Sequence, residues 1–328
     1  MNIAIIYSLP TRRARQSRFV ATDEDTQISA GEIVAAIGEK GHEARAIPID
    51  EDSIDQIDRV QADCIVNLIE WDGHDLPLTD RAIARLEKID IPYTGSRGDV
   101  VLLANDKRTM KEKLDQSGLT TPSWQLFSLG NEPMRDNFKF PAIVKLSLEH
   151  CSVGLNPYAV VRSEHELRSQ VRRQVVEFDE PAIAEEYISG REFQVTLLDR
   201  ASGLVMLPPA EIIFHEAAVG MPKFLTFESR WAPDHPEYDA STVQVAKLDS
   251  EQLKELESIA KRTWSAFGFA HYCRLDMRMR DNEFYILEAN ANPGLGDDED
   301  YGMTVSYKAL GMTFADFIWE IVEAALRV

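Results

Sequence analysis

Residues Tyr272–Gly294, YCRLDMRMRDNEFYILEANANPG, constrain the chain more than any other stretch. Two runs that alternate in character, Tyr272–Met279 and Phe284–Asn290, are joined by Asp281-Asn282-Glu283, which predicts a β-hairpin with a three-residue turn. With Arg280 opposite Phe284, Asp276 falls opposite Glu288 and Arg274 opposite Asn290, all on one face because side chains alternate along a strand. A slip of one residue would scatter them. Two ionised carboxylates about 5 Å apart repel by roughly 3 kcal/mol at an effective dielectric of about 20, so the pair requires a shared proton or a cation. The neutral carbonyl oxygen of Asn290 beside them favours the cation. A few hard oxygen ligands, with room left for water or phosphate, suit Mg²⁺ better than Zn²⁺. The other reading is a solvated hairpin face that carries charge.

At 328 residues the chain is long enough for two or three domains, and 44% hydrophobic with 27% charged residues is the composition of a globular protein that buries a core. Fifty-five acidic against 35 basic residues give a formal charge of −20. That balance argues against nucleic acid or an anionic membrane as partner, since both demand a basic footprint. It leaves nucleotide binding open, because a few local lysines suffice. Cys64, Cys151 and Cys273 lie far apart with no CxxC spacing, so neither a disulfide framework nor a zinc site is expected. No signal peptide or 18-residue apolar run is visible, and a cytoplasmic location is the expectation.

Along the chain, the near-continuous apolar run Asn2–Tyr7 predicts a buried parallel strand. A helix capped by Asp25 or Thr26 and running to Lys40 follows, then strands at Ala44–Ile47 and Cys64–Leu68 and a helix around Thr79–Lys88. This alternation marks an α/β domain of about one hundred residues. No GxGxxG follows the first strand, so a dinucleotide is not expected. Asp99–Ser117 reads as one helix carrying Lys107. Phe140–Leu146 reads as a strand bearing Lys145 near its end, where a charge must find an anion or reach water. Ser163 with Glu166 is a capping-box pattern for a helix to Val176. Pro181–Ile188 and Glu192–Asp199 read as strands around a turn. Leu207–Thr242, with Pro208, Pro209, Pro222, Pro233 and Pro236, reads as a long irregular loop of the kind that is usually functional. Amphipathic helices are expected at Leu253–Phe267 and Phe314–Val328.

A lysine in a DK helix (Lys107), a lysine ending a PxIVK strand (Lys145), the segment EEYISGRE and a terminal RxD…ExN…PG block resemble, in this order, the ATP-grasp superfamily and its D-alanine-D-alanine ligase branch. The resemblance spans nearly the whole chain. It implies a mixed α/β and α+β fold: an N-terminal Rossmann-like, pre-ATP-grasp domain (1–96), a small ATP-grasp lobe (97–184) and a C-terminal lobe with the metal and catalytic residues (185–328). It implies ATP and two Mg²⁺ ions, with Mn²⁺ as an alternative, held by Asp276, Glu288 and Asn290. Lys107 and Lys145 would contact phosphate. Glu185, Glu186, Tyr187 and Ile188 would form the adenine hinge, Glu192 would accept from the ribose hydroxyls, and Phe224 would cover the base. Arg274 would steady a tetrahedral intermediate, a role set against a plain salt bridge to Asp276, and Lys145 and Arg230 would assist catalysis. The implied activity is a carboxylate-amine ligase working through an acyl phosphate on small carboxylate and amine substrates. D-alanine-D-alanine ligase itself and an ATP-grasp phosphotransferase are the alternatives. Members of the family are often dimers, so a homodimer is also expected.

The chain departs from the family pattern in several places. Glu-Gly-Ser-Ser-Val-Gly becomes Glu149-His150-Cys151-Ser152-Val153-Gly154, a lost glycine that predicts a stiffer loop. A Lys-Tyr pair becomes Arg230-Trp231, which keeps the charge and loses the hydroxyl. Asp23, Glu24 and Asp25 compete for the substrate amine, and Asn67–Asp75 replaces another family loop. After Gly294 the family's hydroxyl is absent and Asp297-Asp298-Glu299-Asp300 stands instead, either a ring that attracts an amine or a solvated acidic loop.

Overall fold

The computed structural model describes residues 1–136, 138–215 and 223–327. Its first part alternates β1 (Asn2–Ser8), α1 (Ala21–Glu39), β2 (Glu43–Ile49), β3 (Cys64–Leu68) and α2 (Leu76–Leu86). The strands make a parallel sheet in the order β2-β1-β3. α1 starts earlier than expected, after Val20, with no side-chain cap. Thr26 lies inside the helix, where its buried hydroxyl donates to Ser8 O at 2.6 Å and ties the helix to the end of β1.

The expected single helix over Asp99–Ser117 is two, α3 (Gly98–Asn105) and α4 (Lys107–Gln116). Asp106 leaves helical geometry (φ −89°, ψ 110°) and its carboxylate accepts from Arg108 N, capping α4. Lys107 therefore sits on the first residue of a helix. β4 (Trp124–Phe127), β5 (Ala142–Leu146), β6 (Val160–Val161), α5 (Glu164–Phe178) and β7 (Ala182–Glu186) follow. Their strands form an antiparallel sheet, β4-β7-β5-β6. The Ser163 hydroxyl caps α5 by accepting from Glu166 N. The boundary expected between residues 184 and 185 falls inside β7, whose five residues pair as one strand.

The third sheet contains β8 (Arg191–Arg200), β9 (Gly203–Met206), β10 (Ala210–Phe214), β11 (Ser241–Val245), β12 (Tyr272–Arg280) and β13 (Glu283–Asn290), in the order β11-β10-β8-β12-β13 with β9 on β8. The stretch read as irregular thus holds a strand, the short helix α6 (Phe227–Trp231) and the start of another strand; Pro222 lies outside the described residues. α7 (Ser250–Phe267) carries a capping box from Asp249 and Gln252. It packs through Leu256, Ala260 and Phe267 into one core with α3, α4 and the sheet. α8 (Gly302–Ala309), not expected from sequence, and α9 (Phe314–Leu326) return to the N-terminal sheet. Phe317, Ile318, Ile321 and Val322 join Ile3, Ile5 and Val66 in a single core, each at most 1% exposed. Burial of such side chains stabilises by roughly 1.5–3 kcal/mol each, so the last helix fastens the first sheet to the third. Among the described residues no helix is long and apolar enough to cross a membrane.

The β12–β13 register is right at one end and shifted at the other. Arg274 faces Asn290 and Asp276 faces Glu288, but Met279, not Arg280, faces Phe284. The turn is two residues, not three. Asp281 and Asn282 both take positive φ (53° and 62°), the pattern of a type I′ hairpin that follows the twist of the strands. A bulge after Asp276 takes up the extra residue, Leu287, and restores the register where the carboxylates sit.

Candidate active site

The sheets and loops enclose a cavity of about 590 Å³. Arg230, Arg274, Lys107, Lys145, Glu185, Glu186, Tyr187, Ile188, Glu192, Phe224, Asp276, Glu288 and Asn290 all line it, so residues chosen from five separate segments meet around one space.

Around Lys107 and Lys145 the cavity wall is a network of buried charge. Lys145 Nζ lies 2.5 Å from Glu185 Oε1, and Lys111 Nζ lies 2.7 Å from Glu185 Oε2. Burial works against all three charges, but the two lysines outweigh it and hold Glu185 below the usual carboxylate range. Lys107 is 4% exposed, donates to Glu149 O and stands 3.6 Å from Glu288 Oε1. Burial would raise the Glu288 pKa, yet the charges of Lys107 and Lys145, with Lys111, hold it far below normal. His150, next to Glu149, is pushed down to about 4 by burial and by Lys107, so it is neutral and donates from Nε2 to Asn105 O at 2.9 Å. His150 stands where the family has a glycine without taking positive φ; the left-handed residues are Cys151 and Ser152 (φ 53° and 63°). Any strain in this loop therefore lies one residue beyond the lost glycine, at about 1 kcal/mol or more per residue.

The acids of the segment expected as the hinge are buried and paired. Glu185 and Glu186 are 2% and 6% exposed, and Glu186 is paired with Arg280 at 2.8 Å. Glu186 N and Tyr187 N donate to Ser123 O and Pro141 O, both at 2.8 Å. Arg278, 3% exposed, donates to Ile188 O at 2.7 Å and to Glu192 Oε2 at 2.9 and 2.5 Å, and its guanidinium stacks over Tyr187. Neither Lys111 nor Arg278 was expected. Their sequence signal is position alone: Lys111 is four residues after Lys107 on one helix face, and Arg278 two after Asp276 on one strand face.

On the metal edge, Arg274 grips Asp276 with two bonds, Nε to Oδ1 at 2.7 Å and Nη2 to Oδ2 at 3.0 Å. The plain salt bridge is formed. Asn290 Nδ2 donates to Asp276 Oδ2 and to Arg274 O, both at 3.3 Å, which leaves its Oδ1 free to coordinate. Among the described residues no three His, Cys, Asp or Glu side chains gather as a closed metal cage. Two carboxylates and one amide oxygen nonetheless fit Mg²⁺, which takes one or two carboxylates and completes its shell with water and phosphate.

The cavity also carries a group of acids. Glu70, Asp25, Asp298 and Asp300 line it, whereas Asp23 and Glu24 do not. The expected ring is therefore half formed. Asp297 and Glu299 instead face Lys308, at 3.2 and 3.8 Å. Burial and then Asp25 push Glu70 up to about 7, and burial and then Glu149 push Asp23 up to about 6. Burial and then Glu180 push Glu149 up to about 7, and burial alone pushes Glu180 up to about 7.

A stability slope follows. An acid with a raised pKa keeps its proton in the fold where the unfolded chain has lost it, so stability falls as pH rises from about 4.5 to about 7. His150 acts oppositely between about 4 and 6.5, and the acids outnumber it. Ligand-free protein is expected to melt higher at about pH 5.5 than at about pH 7.5, with a shallower slope in Glu70→Gln. Calorimetry that finds melting flat or rising with pH would contradict this assignment of charge.

Comparison with known proteins agrees with the geometry. The family model "D-ala D-ala ligase C-terminus" matches residues 114–323. A D-alanine–D-alanine ligase of Bordetella petrii is 31% identical over 247 residues, 74% of this chain and 71% of its own length. Uncharacterized protein y4sG of Sinorhizobium fredii is 29% identical over 310 residues, covering 91% and 87%. The crystal structure of D-alanine–D-alanine ligase from Bacillus anthracis complexed with ATP superposes with a TM-score of 0.72 at 21% identity, covering 100% of this chain and 98% of that one. The chain belongs to the D-alanine–D-alanine ligase family of ATP-dependent, amide-forming ligases with the ATP-grasp fold.

Proposed function

We propose that this ligase joins a small carboxylate, an amino acid, to an amine through an acyl phosphate, using Mg²⁺. The observation that carries the reading is the convergence of the two phosphate-facing lysines, the hinge and the Arg274–Asp276–Glu288–Asn290 edge on one cavity. Lys107 and Lys145 bind phosphate oxygens as fixed point charges. Glu185, itself held by Lys111, keeps Lys145 charged and in place. Ile188 N–H, without a hydrogen-bond partner among the described residues, reads the adenine edge; Phe224 covers the base and Glu192 takes the ribose. Asp276, Glu288 and Asn290 would hold Mg²⁺, which when bound neutralises the charge that develops on the transferring phosphoryl group. Arg230, near Asp25 and Glu70, supplies positive charge to the phosphoryl group, and Arg274 faces the oxyanion that forms on the acyl carbon.

Glu70, Asp25, Asp298 and Asp300 favour substrates that bring ammonium groups, and D-alanine on both sides is the reading that the relatives' names support. In this scheme the N-terminal sheet and its loops supply one acidic wall, α4 and β5 the lysines, and β12 with β13 the metal edge. The test is ADP release from Mg·ATP across a panel of D- and L-amino acids and amines, with free phosphate measured in parallel. ADP and phosphate in equal amounts with a defined pair are expected. Retention of phosphate on product identifies a phosphotransferase, and no ADP with any pair despite measured ATP binding rejects the ligase reading.

A further inference from the structure

The hydroxyl missing from the loop after Gly294 is supplied in the fold by Tyr301, the residue immediately before α8. Its N–H donates to Asp298 O at 3.1 Å, which fixes the turn, and its ring packs against the core shared by the first sheet and α9. The ring also lies under Arg274, whose guanidinium carbon is 5.5 Å from its centroid, and Arg274 Nη1 donates to the phenol oxygen at 2.6 Å. Donor counting then locates what is left over. Of the five guanidinium N–H groups, two bind Asp276 and one binds Tyr301. Two remain. The phenol oxygen already accepts from Arg274, so its own proton is available, and among the described residues nothing accepts it. Both side chains line the cavity.

We infer that Tyr301 is a positioning and specificity residue: it holds the Arg274 guanidinium and directs its own O–H, with the remaining Arg274 N–H groups, at the oxyanion of the tetrahedral intermediate. The inference rests on the ligase reading above. In that step the amine lone pair forms the C–N bond while the carbonyl π pair moves onto oxygen, creating the anion these donors receive. Collapse restores the carbonyl, breaks the acyl C–O bond and releases phosphate with that electron pair. The surplus ammonium proton goes to water. The hydroxyl therefore comes from the inserted acidic loop itself, which places the loop's acids and the oxyanion donor on one short segment.

Tyr301→Phe keeps the ring, its packing and its contact with Arg274, and removes only the hydroxyl. Calorimetric titration with (1-aminoethyl)phosphonate, a tetrahedral oxyanion probe, in the presence of Mg·ADP is expected to show binding by wild type and about tenfold weaker binding by Tyr301→Phe, the worth of one hydrogen bond to a charged group. Affinity for a non-hydrolysable ATP analogue should be unchanged. With any active substrate pair, kcat per nucleotide site, the sites being counted by titration with the ATP analogue, should fall by a similar factor while KM for ATP holds, a loss that a smaller folded fraction would not give. Equal phosphonate binding by the two proteins, or none by wild type, overturns the inference. If no pair is active yet the phosphonate difference persists, the substrate assignment fails and Tyr301 stands. If Tyr301→Phe turns over at the wild-type kcat, the inference falls and the ligase reading stands.

Discussion

Asp276→Asn protein is expected to release ADP at least about 10³-fold more slowly than wild type, with its melting transition little changed. The rate loss corresponds to about 4 kcal/mol, the scale expected when a charge that helps hold the metal at the transferring phosphoryl group is removed. Asparagine keeps the volume and one oxygen that accepts from Arg274, so the hairpin survives. Asp276→Ala is a harsher change. It strips the carboxylate, with two of its three hydrogen bonds, from a guanidinium that is only 8% exposed, and breaking a buried pair in that way costs about 3 kcal/mol or more. The proposed metal role of Asp276 and its pairing with Arg274 are therefore separable by this pair of variants: turnover is expected to fall in both, stability mainly in Ala. Turnover by Asp276→Asn within tenfold of wild type would remove Asp276 from the metal set.

The placement of the side chains at this edge was legible in the sequence because strand alternation is a strict rule over short distances. Arg274, Asp276, Glu288 and Asn290 lie within a few residues of the bulge and keep the pairing that alternation predicts. The turn was misread because Asp281-Asn282 accommodates two left-handed residues, and the bulge cancels the error before it reaches the carboxylates. Lys107 was found by its resemblance to a family motif, while its burial was not visible, since nothing in Asn105-Asp106-Lys107 announces a helix break until the Asp106 cap is seen. Lys111, Arg278 and Tyr301 act through partners distant in sequence: Glu185 is 74 residues from Lys111, Glu192 is 86 from Arg278, and Arg274 is 27 from Tyr301. Local pattern carries no information about such pairings. The acidic run after Gly294 read as a unit, but the backbone turn before α8 sends Asp298 and Asp300 to the cavity and Asp297 and Glu299 to Lys308.

The largest stability effect is expected at Glu185. Its carboxylate is 2% exposed and lies between Lys111 and Lys145, so Glu185→Leu leaves two ammonium groups facing one another with no anion between them. A loss of about 3–5 kcal/mol follows from breaking a buried ion pair at one member, a large part of the roughly 5–15 kcal/mol that holds a domain folded. The same reasoning predicts a rescue. Lys111, fully buried, has no contact with the cavity space, and converting it to Met alongside Glu185→Leu replaces an ion pair by apolar groups of similar volume. The double variant should recover to within about 1.5 kcal/mol of wild type, a strongly non-additive result because the two side chains touch. Lys145 would then stand without the carboxylate that holds it, so affinity for Mg·ATP should remain at least about tenfold below wild type even with the fold restored, the cost of one charge-assisted contact. Denaturant melts and nucleotide titrations of the four proteins in this cycle decide the matter. Recovery of stability and nucleotide affinity together would mean that Lys145 needs no anchor, and that the buried triad serves folding alone.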